Sequence, residues 1–76
     1  MSRGYTLHLH GLNKRADGNN IGVRLGRLCI KKDISAAEVA EALGVTRATV
    51  YNWFTGGSSP LEETVPLIEN YIAKIS

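Results

Sequence analysis

Cysteine occurs once, at position 29, and that single thiol excludes an intramolecular disulfide and an all-cysteine zinc site. It fits a reducing compartment. No apolar run approaches the ~20 residues needed to cross a bilayer. The first twenty residues contain no long apolar stretch, so a secretory leader is not expected. There is no internal repeat. No serine, histidine and acid stand at a spacing that suggests nucleophilic catalysis. "GGSS" follows no strand in a nucleotide-binding pattern and reads as a loop. His8 and His10 lack a carboxylate or thiol neighbour that would complete a metal site. Cys29 sits on an apolar stripe and reads as a small buried hydrophobe rather than a nucleophile. The expectation is therefore no enzyme, no cofactor, no metal, no membrane and no small-molecule substrate. A chain of 76 residues makes one domain with a modest core.

What is present is an uneven charge. The net charge is only +2. Residues 1–32 carry Arg3, Lys14, Arg15, Arg24, Arg27, Lys31 and Lys32 against Asp17 alone, a balance of +6. Residues 33–76 carry Arg47 and Lys74 against Asp33, Glu38, Glu41, Glu62, Glu63 and Glu69, a balance of −4. Such asymmetry suits either a polyanionic partner met from the N-terminal side or plain solvated surface.

"YTLHLH" alternates, with Tyr5, Leu7 and Leu9 on one side and Thr6, His8 and His10 on the other. Period two predicts a short strand. "GLNKRADGNN" reads as a loop. Residues 1–19 are thus expected to form an N-terminal extension, and residues 20–76 the main domain.

Four helices are expected in that domain. The first runs from about Ile21 to Lys32 behind Asn20 as N-cap. Ile21, Leu25, Leu28 and Cys29 share its core face. Arg24, Arg27 and Lys31 form a basic stripe. Val23, Gly26 and Ile30 form a second apolar stripe that needs a cover. "SAAE" is a capping box that starts the next helix after Ser35. Its inward face is Val39, Ala40 and Leu43, and Gly44 suits a left-handed stop. The third helix follows Thr46, turns Val50, Trp53 and Phe54 inward, and ends at Gly56 and Gly57. The last starts after Thr64, because Pro66 is tolerated only in a first turn. Its buried face is Leu67, Ile68, Tyr71, Ile72 and Ile75.

Only Gly44 and Val45 separate the second helix from the cap of the third. So short a connection forces a steep crossing, the helix-turn-helix geometry. The small Ala40 permits the close approach, and Val45 tucks under the turn.

The run "SAAEVAEALGVTRATVYNWFTG" resembles the helix-turn-helix of the lambda-repressor-like, or Xre-type, DNA-binding proteins. The features in common are a small residue within the first of the two helices, Gly44 at the turn, Val50, the bulky Trp53, and the closing Gly56. The later "VPLIENYI" is similar to the family's return helix. The resemblance covers roughly residues 20–75 and leaves residues 1–19 outside. It implies a mainly α, lambda-repressor-like bundle with a possible short N-terminal strand. It also implies a sequence-specific regulator that binds double-stranded DNA, of small phage repressor or Cro type, in a prokaryotic or phage-infected cytoplasm. Many members pair an arginine of their first helix with a glutamate late in the recognition helix. Cys29 and Phe54 stand at those positions, so an apolar contact is expected instead.

Under this resemblance the recognition helix is residues 47–55. Arg47, Ala48, Tyr51 and Asn52 are the candidate base contacts: Asn52 suits adenine, Arg47 guanine, and Ala48 leaves room for a thymine methyl. Lys14, Arg15, Ser35, Thr46, Thr49 and Thr55 are the candidate phosphate contacts. One helix reads few base pairs, so a homodimer reading two half-sites is expected. The N-terminal strand, unpaired in its own chain, could supply its interface. The alternative interface is the last helix near Tyr71 and Ile75. Two other readings compete: a protein-binding module on the same fold that modulates host transcription machinery, and, least supported, an RNA-binding module.

Overall fold

The computed structural model describes residues 7–76, and of His10 its backbone alone. The described chain forms five helices: α1 (Leu7–Arg15), α2 (Ile21–Lys32), α3 (Ala36–Leu43), α4 (Arg47–Thr55) and α5 (Val65–Ile75). Their ends follow local chemistry. Asn20 closes the start of α2, its side-chain oxygen accepting from the Gly22 amide at 2.8 Å. Ser35 accepts from the Glu38 amide at 3.1 Å and opens α3. Thr46 accepts from the Thr49 amide at 3.2 Å and opens α4. Gly44 (φ 71°) and Gly56 (φ 78°) stop α3 and α4 in the left-handed region, where a side chain is strained. Asp33 takes the same conformation at the end of α2, with φ 58°. Pro66 stands in the first turn of α5. Thr64 caps that helix by position only, without a side-chain bond.

One core joins all five helices. Leu25 and Cys29 of α2, Val39 of α3, Val50 and Phe54 of α4, and Ile68 of α5 are fully buried, and Leu9 of α1 joins them. α2 packs against α4, α5 and α1, while α4 also meets α3 and α1. Cys29 and Phe54 lie in this one core, both with no exposed surface. Burial first, and then the negative charge of Glu38, pushes the Cys29 thiol up to about 12. Expected core positions Leu28, Tyr71, Ile72 and Ile75 are half-buried, and Leu67 is 51 % exposed rather than buried. Ile68 and Ile72 turn α5 inward, and Leu67 falls on its outer side.

The N-terminal segment departs from expectation. Tyr5 and Thr6 of the anticipated strand lie outside the described residues, but Leu7–His10 is helix, and no strand is formed among the described residues. Gly11–Arg15, expected as loop, continues that helix, so Lys14 and Arg15 occupy its last turn. The reason is tertiary. Leu9 and Asn13, four apart, are one helical face, and both are buried. That face covers the second apolar stripe of α2, where Val23 and Gly26 are buried and Ile30 half-buried. Leu7, on the same side as Leu9 in the anticipated strand, is 89 % exposed where Leu9 is buried. The strand geometry that would have set His8 and His10 on one side is replaced by this helix.

Candidate nucleic-acid interface

α3, the two-residue connection and α4 make the central feature. The amide of Val45 donates to the Ala40 carbonyl at 3.0 Å, which folds the chain tightly at the turn. Ala40 is nearly buried, and Val45 packs against the core beneath the turn. α4 then projects with one face unspent.

At 100° per residue, Arg47, Ala48, Tyr51, Asn52 and Thr55 fall within an arc of about 140°. Val50, Trp53 and Phe54 fall opposite and are buried. The arc is mostly open: Arg47, Ala48 and Asn52 are exposed, Tyr51 and Thr55 half-buried. Thr49 lies at its flank, also half-buried. The side chains of Arg47 and Asn52 make no hydrogen bond to other described residues, so their donors and acceptors are available. They stand five positions apart, about 7.5 Å along the axis. That is close to two base-pair steps of ~3.4 Å each.

The candidate hydroxyls are less free. Thr55 donates to its own helix, to the Tyr51 carbonyl at 3.0 Å. The Thr46 and Thr49 hydroxyls stand 3.0 Å apart and share one hydrogen. Ser35 lies 3.5 Å from a Glu38 carboxylate oxygen. This last distance separates the two helix starts. α3 carries an acid in its first turn, which repels a phosphate, whereas α4 has no acid there and begins with Arg47. The helix dipole and the arginine act together at α4, so its N-terminus is the stronger anion end.

Lys14 and Arg15 are exposed on α1, away from α3 and the turn in sequence but joined to α4 through the packing of α1. The Arg15 Nε donates back to the Gly11 carbonyl at 3.2 Å. Lys14 borders a shallow groove of about 260 Å³ with Asn13, Arg27, Ile30 and Lys31. Two residues there have roles that the sequence pattern does not reveal. Arg27, placed on the basic stripe of α2, donates to the carbonyls of Asn13 (3.4 Å), Lys14 (3.2 Å) and Ala16 (2.9 Å), capping the end of α1. Asn13 is the buried polar residue among the described residues, 3 % exposed, and bonds to α2 and α4. The only sequence signal for Asn13 is its spacing of four from Leu9 and three from Ala16.

Comparison with known proteins agrees with this geometry. A family model described as helix-turn-helix matches residues 25–74. The chain belongs to that family, the Xre or lambda-repressor-like helix-turn-helix proteins, and is thereby a DNA-binding helix-turn-helix regulator. The match takes in all of α3 and α4, most of α2 and nearly all of α5, and leaves out α1. No curated protein and no solved structure matches the chain. No helix among the described residues is long and apolar enough to cross a membrane.

Proposed function

We propose that this protein reads specific sequences in double-stranded DNA as a small regulator of phage repressor or Cro type, with α4 in the major groove. The observation that carries the reading is the outward arc of α4. It joins a free guanidinium, a methyl-sized side chain and a free carboxamide over a length of about two base-pair steps. Arg47 takes guanine, Asn52 adenine, and Ala48 abuts a thymine methyl; Tyr51 contacts a base or sugar. Thr46 and the first amides of α4 hold a phosphate, with Thr49 and Thr55 at its flanks. Ser35 contributes at the start of α3, weakened by Glu38. Lys14 and Arg15 hold phosphates from α1.

The regulator acts as a homodimer, because a helix that reads so few base pairs does not discriminate against a genome of competing sites. α5 supplies the interface in this reading. Leu61 (67 % exposed) and Leu67 (51 % exposed) are large apolar side chains in water, and Leu67, Tyr71 and Ile75 fall on one stripe at intervals of four. Selection of bound sites from a random duplex pool tests the first claim. A two-fold repeat of short half-sites about one helical turn apart is expected. Binding that falls steeply with salt and yields no consensus would leave only non-specific electrostatics. Sedimentation equilibrium with and without the selected duplex tests the dimer, and a monomer in both overturns it.

A further inference from the structure

The last carbonyls of a helix have no partner within it. In α4 the Asn52 carbonyl is taken by the Gly57 amide at 2.8 Å and the Trp53 carbonyl by the Gly56 amide at 3.2 Å. The Phe54 carbonyl faces another helix. There the Asn13 carboxamide nitrogen donates to it at 2.6 Å, and to the Val23 carbonyl of α2 at 3.2 Å. A side chain that is 3 % exposed thus spans three helices. Gly26 makes the space: a Cβ there would stand 2.7 Å from the Asn13 nitrogen and 2.8 Å from the Phe54 ring. The same end of α1 is gripped from below by the Arg27 guanidinium, on three carbonyls. Gly18 leaves the guanidinium its room, since a Cβ at Gly18 would lie 2.5 Å from it.

We infer that Asn13 is a positioning residue for the recognition helix: it fastens the C-terminal turn of α4 to α1 and α2 and so sets the pose in which Arg47 and Asn52 are presented. This rests on the reading of α4 as the DNA-contacting helix. It also makes α1, which lies outside the family match, part of the reading head rather than an appendage. Loss of the carboxamide removes the bonds by which α1 holds the Val23 and Phe54 carbonyls together, so the Phe54 end of α4 is held less firmly against α1 and α2. Because α4 is one rigid rod of nine residues, its outer face rotates with that end.

The experiment uses the full chain and two readouts. The first is amide hydrogen exchange, followed by NMR across a urea series below the unfolding transition. In the unmodified protein the α1 amides and the Gly56 and Gly57 amides should open as one unit. In Asn13→Ala the Gly56 and Gly57 amides should exchange about tenfold faster than in a Val39→Ala control brought to equal global stability with urea. Should Asn13→Ala fail to fold, Arg27→Gln releases α1 from its other side without opening the core, and the same acceleration is expected. The second readout is binding to the duplex selected from a random pool, against unselected duplex. Asn13→Ala should lose about tenfold for the selected duplex and little for the unselected one. Gly56 and Gly57 amides that stay as protected as the core while α1 opens overturn the inference. So does faster exchange with unchanged preference for the selected duplex, which leaves Asn13 a structural bond only. If the unmodified protein selects no consensus, the DNA reading itself falls, and the exchange data alone decide whether Asn13 fastens α4.

Discussion

Adding one methyl group at Gly26 and one at Gly11 should move stability in opposite directions. Both residues lie inside helices, where alanine is favoured over glycine by about 1 kcal/mol. At Gly11 the nearest atom to a new Cβ is the end of the Arg15 side chain at 3.5 Å, an ordinary contact on a movable group. Gly11→Ala should therefore keep most of the gain, about 0.5–1 kcal/mol. At Gly26 the Cβ would stand 2.7 Å from the Asn13 amide nitrogen, 2.8 Å from Phe54 Cγ and 2.9 Å from Phe54 Cβ. Neither neighbour can retreat cheaply. Phe54 is fully buried, and Asn13 is tied to two carbonyls. Overpacking of this kind costs roughly 1–3 kcal/mol. Weakening the two Asn13 bonds adds about 1 kcal/mol for each. Set against a propensity gain of about 1 kcal/mol, the net loss is about 2–4 kcal/mol. At ~4–8 °C per kcal/mol for a domain of this size, the two Tm values should straddle the unmodified protein, at least ~10 °C apart. Circular dichroism during heating, repeated as a urea titration, measures both. A Gly26→Ala protein as stable as the unmodified one would refute the close approach of α1, α2 and α4. A destabilised Gly11→Ala would refute the helical state of α1.

Asn52→Ala should cost ~1–3 kcal/mol on a selected duplex and relax the preference at one base pair, read by repeating the selection with the variant; an unchanged consensus removes Asn52 from the reading set. Replacing Lys14 and Arg15 together by glutamine should flatten the dependence of log K on log salt by about 0.9 for each phosphate no longer neutralised; an identical slope removes both from the interface. The double replacement leaves Leu9 and Asn13 in the core, which a deletion of residues 1–19 would not. Cys29 should make stability fall at alkaline pH. Its thiol is raised by burial, and then by Glu38, from 9.0 to about 12, so between those values the unfolded chain releases a proton that the folded chain keeps. Stability due to this group is complete below pH 9 and falls by up to ~1.4 kcal/mol per pH unit above it. Burial raises Tyr71 as well, so the test is the difference between the unmodified protein and Cys29→Ala; equal slopes for the two would refute the buried thiol's role.

Most of the helix-turn-helix was legible because its instructions are local. Asn20, Ser35 and Thr46 each satisfy amides two or three residues ahead, and Gly44 and Gly56 each tolerate a backbone that other residues resist. Such signals act within one turn, so α2, α3 and α4 begin and end where their residues predict. The outward arc of α4 was equally legible, since the positions of Val50, Trp53 and Phe54 determine which residues face away. α1 was not. Its inward face is Leu9 and Asn13, which has helical spacing but is broken by a polar residue, and the alternation of "YTLHLH" was the louder pattern. Asn13 belongs inside only because two carbonyls from α2 and α4 meet it there. Tertiary structure likewise decided that Arg27, one cation of a basic stripe, would cap α1, and that Leu67 would face water while Ile68 faced the core. In each case the deciding group comes from an element distant in the chain. A residue's own type and its near neighbours determine how a helix starts, stops and divides into faces. Which face is covered, and by what, depends on backbone groups that only folding brings within hydrogen-bond reach.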